Sequence, residues 1–229
     1  LIPSHLVLAI VLYLGYGNMS FEIIPLYSVP MYRSHSGVHN FEKEISFAST
    51  LDIRRTKDNN VSVNTKILDY PEMQACKSIC EKHLQDYAEN VFSCTQQFYI
   101  TNSWITVSNP GDSHHNHNHP NSIISGILYL QTDQRTGKIS FQHESALKKQ
   151  FCFSYNIKKY NMFNSDMWSH MPMIGELLLF PSWVNHQVEI NSSSSSRIIL
   201  GFNSFVKGQF GDNDYSSDLK FGNTNTGSI

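Results

Sequence analysis

The spacing of apolar positions along the chain changes near residue 95. Upstream, the clearest regularity is helical. Over 71–92, Met73, Cys76, Ile79, Cys80, His83, Leu84, Tyr87 and Val91 recur at i, i+3 and i+4, which predicts one buried helix face. Asp69 stands where a side-chain cap belongs, and Pro71 falls in the first turn, where its missing N–H has no intrahelical partner to lose. Residues 40–50 predict a shorter helix capped by Asn40. Residues 21–32, apolar with two prolines, suit an edge strand. Residues 52–64 are polar and charged and read as a loop.

Downstream, strand-like runs follow one another at 97–108, 114–117, 123–131, 138–142, 176–180, 186–190 and 197–206. Turn residues separate them: Asn109-Pro110-Gly111-Asp112, Thr132 to Gly137, and five serines at 192–196 that read as a hairpin loop. Helices early and short strands late predict a mostly β chain with flanking helices (α+β), a β-sandwich or jelly roll. Residues 207–229 are polar and read as a poorly ordered tail.

Composition narrows the partners. The length of 229 residues fits one domain, and 40% hydrophobic against 16% charged residues excludes a disordered, charge-driven chain. Seventeen Lys and Arg against nineteen Asp and Glu leave a net charge of −2, without the basic footprint of a nucleic-acid binder. Cys76, Cys80, Cys94 and Cys152 form no C-x-x-C pair and read as reduced thiols, pointing to a reducing, cytoplasmic compartment. Residues 6–16 are almost wholly apolar but short for a bilayer span, and no Lys or Arg precedes them. Residues 1–18 are therefore read as a reading-frame extension or short apolar leader. Membrane anchoring through 6–16 is the less favoured alternative, and no stable membrane partner is expected.

Eleven histidines change the picture, because four of them fall within 114–119. Alternation along a strand puts His115, His117 and His119 on one face and His114 on the other. Imidazoles at i and i+2 can grip one metal ion; a His-rich surface loop that binds metal adventitiously is the plain alternative. A metal site needs a further ligand from another strand, and His186, opening 186–190, is the best candidate. Arg197 opens an otherwise apolar strand. A buried guanidinium needs an anion, and a ligand carboxylate would satisfy its fork; a structural salt bridge, with Glu189 the nearest acid in sequence, would also do so. Trp104, Trp168 and Trp183 are either core or walls of a pocket.

These pieces carry a resemblance. The run His117-Asn118-His119-Pro120-Asn121-Ser122-Ile123-Ile124-Ser125-Gly126 is followed by Tyr129-Leu130. Then come Phe180-Pro181-Ser182-Trp183-Val184-Asn185-His186-Gln187-Val188, Arg197-Ile198 and Phe202-Asn203. Together they resemble a family within the iron(II)- and 2-oxoglutarate-dependent oxygenases, with motifs H-x-H-P-x-S-x-x-S-G, S-W-x-x-H-x-V, R-I and F-N. Glu22-Ile23-Ile24-Pro25-Leu26-Tyr27 is similar to that family's start. The likeness spans roughly 19–206, with a strand core of about 95–206.

The resemblance implies a double-stranded β-helix holding iron(II) on His117, His119 and His186. The wider superfamily has a carboxylate at the position of His119, and Asp112 or His115 remain alternatives for one of the first pair. It implies that Arg197 binds the distal carboxylate of 2-oxoglutarate. Where such enzymes often carry R-x-S, this chain reads Arg197-Ile198-Ile199, so Tyr129 is expected to supply the hydrogen bond; Ser125 and Asn203 complete the cofactor-binding set. The implied activity is a hydroxylase consuming 2-oxoglutarate and O2, releasing succinate and CO2, and oxidising a protein side chain or small molecule. The alternatives are a three-His cupin-type metalloprotein that uses no 2-oxoglutarate, and a non-enzymatic β-domain with a His-rich metal-binding loop.

Overall fold

The computed structural model describes residues 28–38, 40–142, 156–211 and 216–221. The expectations for residues 1–18, for most of 21–32 and for Cys152 lie outside them. Strand β1 (Tyr32–His35) and helix α1 (Glu42–Ala48) open the described chain, and Asn40 Oδ1 accepts the Glu42 N–H at 2.8 Å. Strands β2 (Ile53–Arg55) and β3 (Asn60–Ser62) pair as a hairpin, where a loop was expected. Polar edge strands lack the apolar alternation that announces a strand, and β2 is exposed throughout.

Short 3-10 turns at Ile67–Asp69 and Pro71–Met73 lead into α2 (Gln74–Tyr87). Met73, Cys76, Cys80, Leu84 and Tyr87 are buried along the expected stripe. Two details differ from expectation. Asp69 does not cap the helix; its carboxylate accepts from Lys77 Nζ at 3.0 Å. Val91 is 37% exposed, because the helix closes in a wider π turn, Ala88–Phe92, that rotates later residues off the stripe.

The remaining strands are β4 (Gln97–Ser108), β5 (His114–His117), β6 (Ile124–Gln131), β7 (Ile139–Gln142), β8 (Met167–His170), β9 (Glu176–Pro181), β10 (His186–Val188), β11 (Arg197–Phe210) and β12 (Leu219–Phe221). They form two antiparallel sheets. The larger runs β1-β9-β6-β11-β4-β3-β2 with β12 added to β11, and the smaller runs β5-β10-β7-β8. β11 continues past Val206 to Phe210 and pairs with β12, so part of the expected tail is strand. β8 has no counterpart among the expected runs.

Two cores follow from the alternation of side chains. Ile124, Leu128, Leu177, Leu179, Leu200 and Phe202 point from the large sheet toward α1 and α2. Their neighbours Ile127, Tyr129, Leu178 and Phe180 point the other way and meet Ile139 and Phe141 of the small sheet and Val184 of the turn between β9 and β10. Strands buried on both faces read as continuous apolar runs, as β6 and β9 do. The chain is thus mostly β with two helices, and the candidate chemistry lies between the sheets. Cys76, Cys80 and Cys94 are free thiols. Among the described residues, no helix is long and apolar enough to cross a membrane.

Candidate metal centre

The His-rich strand departs from plain alternation. His117 pairs with His186 and His114 with Val188, so three steps on β5 oppose two on β10. Such a bulge re-aims side chains. His114 therefore stacks on His117 with ring centroids 4.2 Å apart, where alternation put it on the opposite face. His115 is exposed and bonds Asp58 through Nδ1. His119 lies beyond the strand end. Its N–H donates to Ser182 O at 2.9 Å, and the chain then reverses at Pro120-Asn121, with Asn121 in the left-handed region at φ 58°. Asn tolerates that conformation better than most residues.

His117, His119 and His186 each bring one ring nitrogen within 4.8 Å of the other two. All three have the same tautomer imposed on them. Nδ1–H of His117 donates to His115 O at 2.8 Å, that of His119 to Asn203 Oδ1 at 2.7 Å, and that of His186 to Val184 O at 3.1 Å. Each acceptor is an oxygen, so each Nε2 keeps its lone pair. Burial, reinforced by the neighbouring imidazoles, takes His186 down to about 3 and His119 to about 4, and burial lowers His117 as well. The rings are thus neutral donors at physiological pH. Among the described residues His119 Nε2 is buried without a partner, as a ligand atom for an ion would be, and three neutral imidazoles suit iron(II).

No carboxylate belongs to this cluster among the described residues. Asp112 does not join it: both carboxylate oxygens take the Arg55 fork at 2.8 Å. His115 is engaged by Asp58.

Of the residues expected to meet 2-oxoglutarate, Ser125 and Asn203 turn to the histidines. Asn203 Oδ1 accepts from Ser125 Oγ at 2.8 Å as well as from His119, and Ser125 Oγ bonds Ser182 Oγ at 2.8 Å. Arg197 is 4% exposed, and its guanidinium donates to Thr136 O and, at 3.0 Å, to Ser108 Oγ. Among the described residues, no carboxylate forms an ion pair with it; Glu189 instead accepts the Lys138 N–H. Tyr129 is buried near Arg197, and burial pushes its phenol up, so it stays a neutral donor.

Trp104 lies over Gly201, where any Cβ would come within 2.8 Å of the indole, and stacks on His119 at 5.6 Å. Trp168 and Trp183 are 46% and 62% exposed, so neither is a core residue. Sequence reading passed over Thr106 and Ser108, which share the inward face of β4. Their signal is a polar residue at every second position of a strand flanked by strands on both sides.

Two facing antiparallel sheets with three convergent imidazoles define a double-stranded β-helix with a candidate metal centre. Residues 102–203 match the family described as "Putative 2OG-Fe(II) oxygenase". No curated protein matches it. Among solved structures, a 2OG-Fe(II) oxygenase-family oxidoreductase from Burkholderia pseudomallei is similar with a TM-score of 0.51 at 11% identity, over 72% of this chain and 76% of its own. HygX from Streptomyces hygroscopicus, solved with nickel and 2-oxoglutarate, gives 0.55 at 10% identity, over 77% and 82%. A Pseudomonas putida prolyl-4-hydroxylase gives 0.51 at 14% identity, over 77% and 93%. At these identities the likeness speaks for the fold.

Proposed function

We propose that the protein is an iron(II)- and 2-oxoglutarate-dependent dioxygenase that hydroxylates a protein side chain or small molecule. The observation that carries this reading is the convergence of His117, His119 and His186, each Nδ1–H tied to a fixed acceptor and each Nε2 left free. Iron(II) with 2-oxoglutarate and O2, when bound, supplies oxidation of a substrate C–H bond with release of succinate and CO2. The chain supplies the rest. Its three imidazoles hold the ion and add no negative charge. Arg197 adds a buried positive charge without a carboxylate partner among the described residues, so a dianion is favoured between the sheets. The guanidinium fork matches a carboxylate in geometry. Trp168 and Trp183, on elements that carry or pack beside the triad, offer a substrate exposed apolar surface.

A second reading, a three-His cupin-type metalloprotein that uses no 2-oxoglutarate, is favoured by one observation, the lack of a carboxylate in the cluster. One titration separates the two. Iron(II) added anaerobically is expected to bind, and 2-oxoglutarate is then expected to raise a visible charge-transfer band. Iron binding without the band selects the second reading. Iron binding that survives His186→Ala at full affinity removes His186 from the ligand set and defeats both.

A further inference from the structure

We infer that Thr106 binds 2-oxoglutarate, its hydroxyl donating to the carboxylate that Arg197 anchors. The inference rests on the proposed function and adds a residue to it. Alternation along β4 presents Asn102, Trp104, Thr106 and Ser108 to one face. The two neighbours of Thr106 define what that face meets. Trp104 stacks on His119, at the metal end, and Ser108 Oγ accepts from Arg197 Nη2 at 3.0 Å, at the anion end. Thr106 lies midway between them, along four residues that span roughly 13 Å of strand.

The hydroxyl is placed but unused. Thr106 is 3% exposed, and its Oγ1 has no hydrogen-bond partner among the described residues. Buried hydroxyls are almost always bonded, and leaving one unbonded costs stability. The residues beside it offer no relief. Ile199 stands in register with Thr106 on β11 and carries no polar side-chain atom, and Tyr129 lies beyond it on β6. A carboxylate reaching Arg197 from the triad passes this level of the fold. A threonine hydroxyl rotates to aim its hydrogen while its Cβ stays fixed. The hydroxyl that Ile199 cannot offer beside Arg197 is therefore present one strand away.

The test uses Thr106→Val, which keeps the shape and removes the hydroxyl, and Thr106→Ser, which keeps the hydroxyl. Dissociation constants for 2-oxoglutarate come from anaerobic titration of the iron(II)-loaded proteins, followed by the charge-transfer band. Thr106→Val is expected to weaken 2-oxoglutarate about tenfold and Thr106→Ser less than about threefold, with iron(II) affinity unchanged in both. The ligand-free Thr106→Val protein is expected to melt no lower than wild type, because it loses an unpaired polar atom. Wild-type 2-oxoglutarate affinity in Thr106→Val overturns the assignment and leaves the proposed function standing. A lowered melting temperature together with lowered iron(II) affinity makes the hydroxyl structural and also overturns it. A wild-type protein that binds iron(II) but gives no band overturns the proposed function, and this assignment with it.

Discussion

His119 owes its orientation to a side chain 84 residues away, the Asn203 amide whose Oδ1 accepts its Nδ1–H at 2.7 Å. Asn203 is steadied in turn by Ser125, Ser125 by Ser182, and Ser182 by Ser122 at 2.7 Å. An acceptor behind a ligating imidazole sets its tautomer and angle, and losing one costs about 10- to 100-fold in metal affinity. Asn203→Ala is therefore expected to lower affinity for iron(II) or zinc by about that factor, while Asn203→Asp, which keeps the acceptor, stays near wild type. Equilibrium dialysis measures both, and equal affinities in the two variants would detach Asn203 from this role. The histidines themselves were legible, because four in six residues are conspicuous in a chain with few charges. Their supports were not. Ser125 faces Asn203 only through the register of β6 on β11, which no local pattern encodes.

The hairpin of β2 and β3 acts on the site from the edge of the large sheet. Arg55 grips Asp112, Asn59 Nδ2 donates to Ser113 O at 3.3 Å, and Asp58 accepts from the His115 N–H at 3.2 Å. Asp112, Ser113 and His115, leading into the His-bearing strand, are thus clasped to an element of the other sheet. The hydrogen bonds from Arg55, aided by the Asn109 N–H, hold the Asp112 carboxyl below the usual carboxylate range. A depressed acid contributes stability above its unfolded value, and that stability is lost as pH falls through the folded one. Asp112→Asn is expected to cost about 1–2 kcal/mol at pH 7, a melting shift of roughly 2–8 °C. The difference from wild type should shrink as calorimetry is repeated below about pH 4; a constant gap would mean that the ion pair does not contribute. Strands with one or both faces buried, such as β4, β6, β9 and β11, were legible at their starts to within a residue. The hairpin was not, because its pairing rests on long-range ion pairs. Nor was the β5 bulge, because a single extra residue leaves no trace in a run of four polar side chains.

At the scale of the molecule, the space between the sheets concentrates imidazoles where water is excluded. His114 and His186 are each taken down to about 3 by burial, with neighbouring rings adding to it, and His119 to about 4. In the unfolded chain these groups titrate near 6.5. Between the two values the unfolded state binds protons that the folded state refuses, so stability falls as pH drops below about 6.5. Each such imidazole contributes up to about 1.4 kcal/mol per pH unit well inside that window. The metal-free protein is therefore expected to melt progressively lower from pH 7.5 to 5.5, a range in which ordinary carboxylates stay ionised, so the slope belongs to histidines. His114→Phe removes one of these groups without touching the triad's nitrogens and should flatten the slope. Bound metal adds stability to the folded state alone, and because His119 and His186 are already neutral there, that gain should hold from pH 7.5 to 5.5 and shrink only as pH falls toward 4. Melting temperatures of the metal-free and metal-loaded protein across the range measure both effects. A metal-free protein whose melting temperature is flat with pH would show that the folded imidazoles titrate at their ordinary value, and would remove the neutral, preformed donor set on which metal binding depends.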